Sequence, residues 1–80
     1  MIFIYVLKSL KKEFRYVGIT NNLEKRLGQH NDGKNKSTKF YLPFAIILKE
    51  EYPDYKTARR REKFLKSGEG RAQLDALLIK

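Results

Sequence analysis

The segment Ile2–Leu7 constrains the fold most, because it is apolar on both sides of an extended chain. Its letters, IFIYVL, place Ile2, Ile4 and Val6 on one side and Phe3, Tyr5 and Leu7 on the other. Successive side chains of a β-strand point to opposite faces of the sheet, so both faces here must be covered. The sequence therefore predicts that this strand lies in the middle of a sheet.

Two further strands follow from the apolar pattern. The segment Phe14–Ile19 comes after the polar connection KSLKKE and is predicted to form a hairpin with the first strand. Gly18, near its end, indicates a bulge or a close approach of another group. The continuous apolar run over about Phe44–Glu50 predicts a third strand, buried on both faces and starting after Pro43.

The first helix is predicted in TNNLEKRLGQHN, where Asn21 or Asn22 can accept hydrogen bonds from the first backbone N–H groups. A polar loop, NDGKNKST at Asn31–Thr38, follows this helix. The loop carries basic and hydroxyl groups that are available for phosphate.

Two helices are predicted after the third strand. Asp54 caps a helix from about Tyr55 to Lys66, and SGEG ends it with Gly68 as the C-terminal cap. The letters RAQLDALLI then predict a short third helix whose inward side chains are Leu74, Leu77 and Leu78. The expected fold class is α/β of the α+β kind, a three-stranded antiparallel sheet flanked by helices in the order β-β-α-β-α-α. We expect residues 1–80 to form a single domain, since 80 residues leave no room for a second.

The charge of the chain favours a polyanionic partner. It has 18 Lys and Arg against 9 Asp and Glu, a formal net charge of +9. Nucleic acid is therefore predicted as the partner, ahead of a charge that serves solubility alone, and an anionic membrane is disfavoured. The absence of cysteine excludes disulfides and thiolate chemistry. The apolar opening MIFIYVL is too short for a signal peptide or a membrane span, so a cytoplasmic protein is expected.

Two polar residues stand on an unfavourable side of the first helix. At about 100° per residue, Arg26 and His30 share one arc with Leu23 and Leu27 and so border the apolar stripe. A partly buried Arg needs either a structural carboxylate or an external anion such as phosphate. From the residues alone, both explanations remain open.

Glu62 presents the same problem with the opposite charge. It is the one acid in TARRREKFLKS, and it shares a helix face with Ala58 and Leu65. Glu62 is either the salt-bridge partner of Arg26 or a hard oxygen ligand for a divalent cation.

Two tyrosines complete the set of unusual residues. Tyr5 and Tyr16 lie on strands predicted to be neighbours, so their phenols can meet on one face of the sheet. Two phenols, an Arg, a His and an inward Glu around one small sheet are costly to bury without a function.

Together these segments resemble the GIY-YIG nuclease superfamily, whose catalytic module also forms the N-terminal part of the excision repair nuclease subunit UvrC. FIY at Phe3–Tyr5 stands for GIY, and YVG at Tyr16–Gly18 stands for YIG. NNLEKRLGQHN is similar to the family's first helix, with Arg26 at its Arg position and His30 at the position that His or Tyr usually fills. AxxxEKFLK, starting at Ala58, resembles the region that carries the metal-binding Glu. The chain looks like the small stand-alone UvrC-like proteins of this superfamily.

The resemblance implies metal-dependent hydrolysis of phosphodiester bonds, with DNA favoured over RNA and a role in DNA repair or processing. It implies that Tyr5, Tyr16, Arg26 and His30 are catalytic and that Glu62 holds one Mg²⁺ or Mn²⁺. A protein partner could supply specificity. The basic residues predicted to contact nucleic acid are Lys34, Lys36, Lys39, Arg59 and Lys66. Two departures from the family pattern are Phe3, which replaces its first Gly, and Gln73, which stands near the place of its third-helix Asn.

Two other functions fit the same residues. A non-catalytic nucleic-acid-binding module would have the same fold and charge without turnover. A small structural protein, in which Arg26 and Glu62 form a salt bridge, would have no affinity for polyanions.

Overall fold

The protein is described by a computed structural model that covers residues 1–34, 36 and 38–79, with the backbone alone for 77–79. Three strands form one antiparallel sheet. They are β1 (Ile2–Ser9), β2 (Arg15–Thr20) and β3 (Phe44–Tyr52), in the spatial order β2-β1-β3. The prediction of a three-stranded antiparallel sheet with the first strand in the middle is confirmed.

Three α-helices complete the predicted order β-β-α-β-α-α. They are α1 (Leu23–Asn31), α2 (Tyr55–Leu65) and α3 (Gly68–Ile79), and a short 3-10 helix at Lys39–Tyr41 precedes β3. In the part of the chain that the structure covers, none of these helices has the length and apolar content that crossing a bilayer requires.

The two faces of β1 are covered by different parts of the chain. Ile2, Ile4 and Val6 pack against α2 and α3, where the buried partners are Ala58, Leu65 and Leu74. Burying each aliphatic side chain of this kind contributes about 1.5 to 3 kcal/mol, so this face holds the apolar core. Tyr5 points to the opposite face, toward His30 of α1. The site described below lies on that second face.

Side-chain caps explain where α1 and α2 begin. Asn22 accepts a hydrogen bond from the backbone N–H of Lys25 at 3.1 Å, so Asn22 and not Asn21 is the cap of α1. Asp54 accepts from the N–H of Thr57 at 2.8 Å, as predicted for α2. α1 extends through Asn31, so the following loop starts one residue later than predicted. Asn35 and Ser37 of that loop lie outside the described residues.

The prediction that Gly68 caps the end of α2 is wrong. α2 ends at Leu65 with Lys66 as its cap, and Gly68 is already the first residue of α3. The reason is that Ser67 accepts a hydrogen bond from the N–H of Gly70 at 3.2 Å and so starts α3 three residues before Arg71. A side chain at Gly70 would overlap the backbone of Phe64 and Leu65. Glycine there lets the two helices join closely.

The prediction that β3 is buried on both faces is also wrong. β3 is an edge strand, and the side chain of Ile46 is 47% exposed. The pairing of β1 with β3 also shifts its register between Val6 and Leu7, so β3 is not a regular partner strand along its whole length. In α3, Leu74 is buried as predicted, whereas the predicted inward side chains of Leu77 and Leu78 lie outside what the structure describes.

Candidate active site

Tyr5 is the central residue of the site, and it is fully buried. It lies opposite Gly18 in the pairing of β1 with β2. A Cβ at Gly18 would overlap the Tyr5 ring, so the phenol occupies the space that only a glycine leaves open. Of the two predictions made for Gly18, the close approach is confirmed.

Replacing Gly18 by alanine is therefore expected to lower the free energy of unfolding by about 1 to 3 kcal/mol, the usual cost of overpacking. Urea unfolding measures this effect. Gly28→Ala on α1 is the matched control, because a Cβ there meets nothing within 4 Å. That change is expected to be neutral or stabilising by up to about 1 kcal/mol through helix propensity. Equal destabilisation by the two changes would contradict the proposed fit of Tyr5 against Gly18.

Hydrogen bonds hold the Tyr5 hydroxyl from two sides. Its oxygen lies 3.0 Å from Nε2 of His30 and accepts a hydrogen bond from Nε of Arg26 at 3.3 Å. On the far side of the imidazole, Nδ1 of His30 lies 2.9 Å from Oγ1 of Thr38. His30 and Thr38 are both fully buried. A continuous polar chain therefore runs from Arg26 through Tyr5 and His30 to Thr38.

Tyr16 joins the same cluster. Its ring centroid lies 6.2 Å from that of Tyr5 and 4.9 Å from that of His30. This distance to His30 is in the favourable range for an edge-to-face pair of rings. The predicted meeting of the two phenols is confirmed, and α1 brings His30 between them and Phe44, whose ring is 6.4 Å away.

Burial keeps the central groups of the cluster neutral. It raises the pKa of Tyr5 to about 12, although the hydrogen bond from Arg26 acts in the opposite direction. Burial, and to a smaller extent the positive charge of Arg26, lowers the pKa of His30 below its ordinary value of 6.5. At neutral pH the cluster therefore contains a neutral phenol and a neutral imidazole beside one fixed positive charge.

The lowered pKa of His30 predicts how stability depends on pH. Below about pH 6.5 the unfolded chain protonates its histidine before the folded chain does, so the free energy of unfolding falls as the pH falls. Urea unfolding at several pH values from about 8 to 5 measures this slope. The variant His30→Gln should lose this part of the slope while keeping the contribution of the carboxylates, which titrate lower. Parallel curves for the two proteins would contradict a buried, neutral His30.

Arg26 does not form the salt bridge that its helix position left open. Besides Tyr5, it donates from Nη1 to the side-chain oxygen of Gln29 at 3.1 Å. Hydrogen bonds to Tyr5 and Tyr16 raise the pKa of Arg26 above its ordinary value. Among the residues that the structure covers, no carboxylate lies within ion-pair distance of its guanidinium.

Glu62 belongs to a different environment. Its side chain is 18% exposed and pairs with Nζ of Lys66 at 3.4 Å. α2 packs its neighbouring residues Ala58 and Leu65 on the sheet face opposite to that of Tyr5. The bidentate salt bridge of α2 is instead between Arg61 and Glu50 of β3, with contacts of 2.8 and 3.1 Å. The structure therefore brings Tyr5, Tyr16, Arg26 and His30 together, whereas the charged partner of the Glu62 carboxylate is Lys66.

A cleft of about 730 Å³ lies along β2; of the four clustered residues Tyr16 alone lines it, and Glu62 is not among its lining residues. Tyr16 lies on one wall, and Leu65 and Lys66, one turn after Glu62, lie on the other. The charged lining residues are four basic ones, Lys8, Arg15, Lys66 and Arg71, and two acidic ones, Glu13 and Asp75. Arg15 is paired with Asp75 at 2.6 Å. A negatively charged strand in this cleft would pass beside Tyr16 and reach the end of the helix that carries Glu62.

Of the basic residues predicted to contact nucleic acid, only Lys66 lines this cleft. Lys34, Lys36, Lys39 and Arg59 are all exposed. Nζ of Lys39 lies 5.1 Å from the centre of the Phe40 ring, and the Arg59 guanidinium lies 6.0 Å from that of Tyr55. These four residues remain predicted contacts for nucleic acid.

Glu62 is the residue that could hold a divalent cation. Among the described residues, no group of three or more His, Asp or Glu side chains converges on one point. One largely buried carboxylate suits Mg²⁺ or Mn²⁺, because such cations usually take one or two protein carboxylates and complete their shell with water and substrate phosphate. The donor set present thus fits a cation that binds together with the substrate.

Comparisons with known proteins place this arrangement in a family. The family model described as the GIY-YIG catalytic domain matches residues 1–74. A UPF0213 protein of Clostridium perfringens is 39% identical over 67 residues, which are 82% of this chain and 71% of that protein. The UPF0213 protein YazA of Bacillus subtilis is 40% identical over 65 residues, which are 80% of this chain and 65% of that protein.

A solved structure gives the same result for the fold. The solution structure of a UPF0213 protein from Bacillus halodurans is 28% identical to this chain, with a TM-score of 0.57. The match covers 96% of this chain and 85% of the Bacillus halodurans chain. The chain described here belongs to the GIY-YIG domain family, and its similarity lies with the small UPF0213 proteins within it.

Proposed function

We propose that this protein is a metal-dependent endonuclease that hydrolyses phosphodiester bonds of nucleic acid, with DNA favoured over RNA. The observation that carries the proposal is the Tyr5 hydroxyl, held between Arg26 and His30 at 3.3 and 3.0 Å. A hydroxyl between a fixed cation and a neutral base suits the transfer of a proton from an attacking water. The family match over residues 1–74 supports a catalytic role for this cluster.

In this proposal Arg26 binds and orients the phosphate. Its guanidinium has five donors in a fixed fork, so donors remain for phosphate oxygens after the bonds to Tyr5, Tyr16 and Gln29. Hydrogen-bond donors that the fold already holds in place stabilise charge developing on the phosphate better than water does, because they do not have to reorient. The lack of a carboxylate partner among the described residues keeps this positive charge available to the substrate.

Tyr5 and His30 move the proton. A phenol with a pKa of about 12 is almost never ionised at neutral pH, so Tyr5 cannot act as a free phenolate. It can pass its own proton to His30 while it takes one from water. Tyr16, next to both rings, lines the cleft and positions the substrate there.

Glu62 would hold Mg²⁺ or Mn²⁺ in this proposal. The cation, when bound, neutralises charge on the phosphate and the leaving oxygen. The ion pair of Glu62 with Lys66 would have to open to admit it. Lys66 is exposed and Nζ is 3.4 Å from the carboxylate, so this contact is weak.

The experiment that tests the proposal is a cleavage assay on labelled single-stranded, duplex and branched DNA and on RNA, with Mg²⁺, Mn²⁺ or a chelator. We expect cleavage that needs the metal and that is faster on DNA. Binding without cleavage on every substrate and with either metal would support the alternative, a non-catalytic binding module. The position of Glu62, on α2 and away from Tyr5, favours that alternative. A function in DNA repair, with a partner protein that supplies specificity, is the setting we propose for the enzyme.

The basic cleft predicts how binding responds to salt. Arg71 lines the cleft and is exposed, so Arg71→Gln should weaken binding to every sequence and reduce the slope of log affinity against log salt by about 1. Fluorescence anisotropy with labelled DNA at several salt concentrations measures both quantities. The matched control is Arg60→Gln on α2, an exposed arginine that does not line the cleft. An equal loss of slope in the two variants would place the bound strand elsewhere.

A further inference from the structure

Thr38 completes the polar chain behind the proposed general base, although no sequence pattern marks it. Its side chain is fully buried, and Oγ1 lies 2.9 Å from Nδ1 of His30. Nε2 of the same ring lies 3.0 Å from the Tyr5 oxygen. Both ring nitrogens of His30 therefore have partners, and the arrangement of hydrogens between them determines what His30 can do.

The direction of these hydrogen bonds follows from Arg26. A guanidinium only donates, so the Tyr5 oxygen accepts the bond from Nε of Arg26. The single hydroxyl hydrogen of Tyr5 can then point at Nε2 of His30 or at the Tyr16 hydroxyl, and the imidazole nitrogen, 3.0 Å away, is the stronger acceptor of the two. A neutral imidazole that accepts at Nε2 must carry its hydrogen on Nδ1, and Oγ1 of Thr38 is the atom that faces Nδ1.

We infer that Thr38 is a positioning residue, which accepts a hydrogen bond from Nδ1–H of His30 and so keeps Nε2 unprotonated to receive the proton of Tyr5. The part of this inference that concerns catalysis rests on the proposed function. The hydrogen-bond arrangement itself does not depend on turnover.

The proton step balances. The attacking water gives one proton to the Tyr5 oxygen, and the original hydroxyl proton of Tyr5 moves to Nε2 of His30. The oxygen of the resulting hydroxide forms the new bond to phosphorus while the bond from phosphorus to the leaving oxygen breaks. The leaving oxygen takes a proton from solvent water, and His30 becomes an imidazolium. Thr38 stabilises that imidazolium because Nδ1–H keeps its acceptor. In the opposite tautomer Nε2 already carries a hydrogen, and the transfer from Tyr5 is blocked.

The surroundings of His30 favour this role for a neutral ring. The titratable or charged groups that face it are Tyr5 from β1, Tyr16 from β2 and Arg26 from its own helix, and Phe44 of β3 covers the remaining side. Among the described residues, no carboxylate contacts the imidazole. A hydroxyl behind Nδ1 can accept the Nδ1 hydrogen without favouring a positive charge on the ring, as a carboxylate would.

The first test is spectroscopic. His30 is the only histidine in the chain, so a two-bond proton–nitrogen correlation spectrum of labelled protein reports its tautomer alone. We expect hydrogen on Nδ1 in the parent at neutral pH and in Thr38→Ser, which keeps the hydroxyl. Thr38→Val, which removes it, should contain the Nε2–H tautomer. If the spectrum of the parent protein shows the hydrogen of His30 on Nε2, that result alone overturns the inference.

The second test uses cleavage. Thr38→Val is expected to lower kcat about 10- to 100-fold with little change in KM, as found when hydrogen-bond partners behind metal-bound histidines are removed. Thr38→Ser should restore most of the rate. Thr57→Val, at an exposed threonine of α2, controls for the substitution itself. Parental kcat and parental tautomer in a folded Thr38→Val would overturn the inference. If the parent cleaves nothing, the proposed function fails, and the spectrum still decides the hydrogen-bond arrangement.

Discussion

Replacing Arg26 by alanine is expected to lower the rate of cleavage about 10²- to 10³-fold, the usual cost of removing one donor aimed at developing charge. Among the residues that the structure describes, Arg26 is the one charged group that contacts the Tyr5 hydroxyl, and it also has donors left for phosphate. Its loss therefore removes both the planar guanidinium donors that bind the phosphate and the positive charge beside the phenol. Single-turnover cleavage at saturating protein separates this effect from weaker binding.

Two further variants make the test specific for geometry. Arg26→Lys keeps the charge without the planar fork, and it should recover only part of the rate. Arg60→Ala, an exposed arginine on α2, should cleave at nearly the parental rate. If Arg26→Ala retained the parental single-turnover rate, Arg26 would be a structural residue and not the phosphate ligand.

Replacing Tyr5 by phenylalanine is expected to lower kcat about 10²- to 10⁴-fold, the range of general acid–base catalysis. The change removes the hydroxyl that joins Arg26 to His30 but keeps the ring that packs against Gly18. The protein should therefore stay folded and keep its affinity for substrate. Steady-state kinetics on the best DNA substrate, with unfolding measured in parallel, tests this.

Tyr52→Phe is the matched control for that experiment. Its hydroxyl donates to Glu50 at 2.7 Å, and its ring packs against the apolar core on the other face of the sheet. Losing it should leave kcat unchanged. Parental activity in Tyr5→Phe together with a large loss in Tyr16→Phe would move the proton transfer from Tyr5 to Tyr16.

The two faces of β1 could be predicted from the sequence because they depend on period-2 alternation, which is local, whereas the exposed face of the edge strand β3 could not. The positions of Tyr5 and Tyr16 on neighbouring strands follow from that alternation. Asp54 could be identified as a helix cap for the same reason, since it bonds to a backbone group three residues away. Ser67 is an equally local capping residue for the start of α3. The glycines that follow it are, however, typical of the end of a helix.

The partners of charged groups could not be predicted, because they depend on which faces meet in three dimensions. Arg26 and Glu62 lie on similar faces of their helices, yet α1 and α2 pack on opposite sides of the sheet. The salt bridge formed instead by Arg61 joins α2 to an edge strand. Thr38 and Gln29 were missed for a related reason. Thr38 meets His30 from eight residues further along the chain, a separation with no periodic pattern, and Gln29 is one of several polar residues on α1.

The central claim of the proposed mechanism is that Glu62 and the cluster around Tyr5 take part in the same cleavage reaction. The most direct measurement is the dependence of cleavage rate on Mn²⁺ concentration for the parent, Glu62→Gln and Glu69→Gln, an exposed acid of α3 that serves as the control. We predict that the parent and Glu69→Gln share one saturation curve. Glu62→Gln should show little cleavage at any Mn²⁺ concentration, although it binds DNA as tightly as the parent. A Glu62→Gln curve that matches the parent, or cleavage by the parent in chelator, would contradict the mechanism.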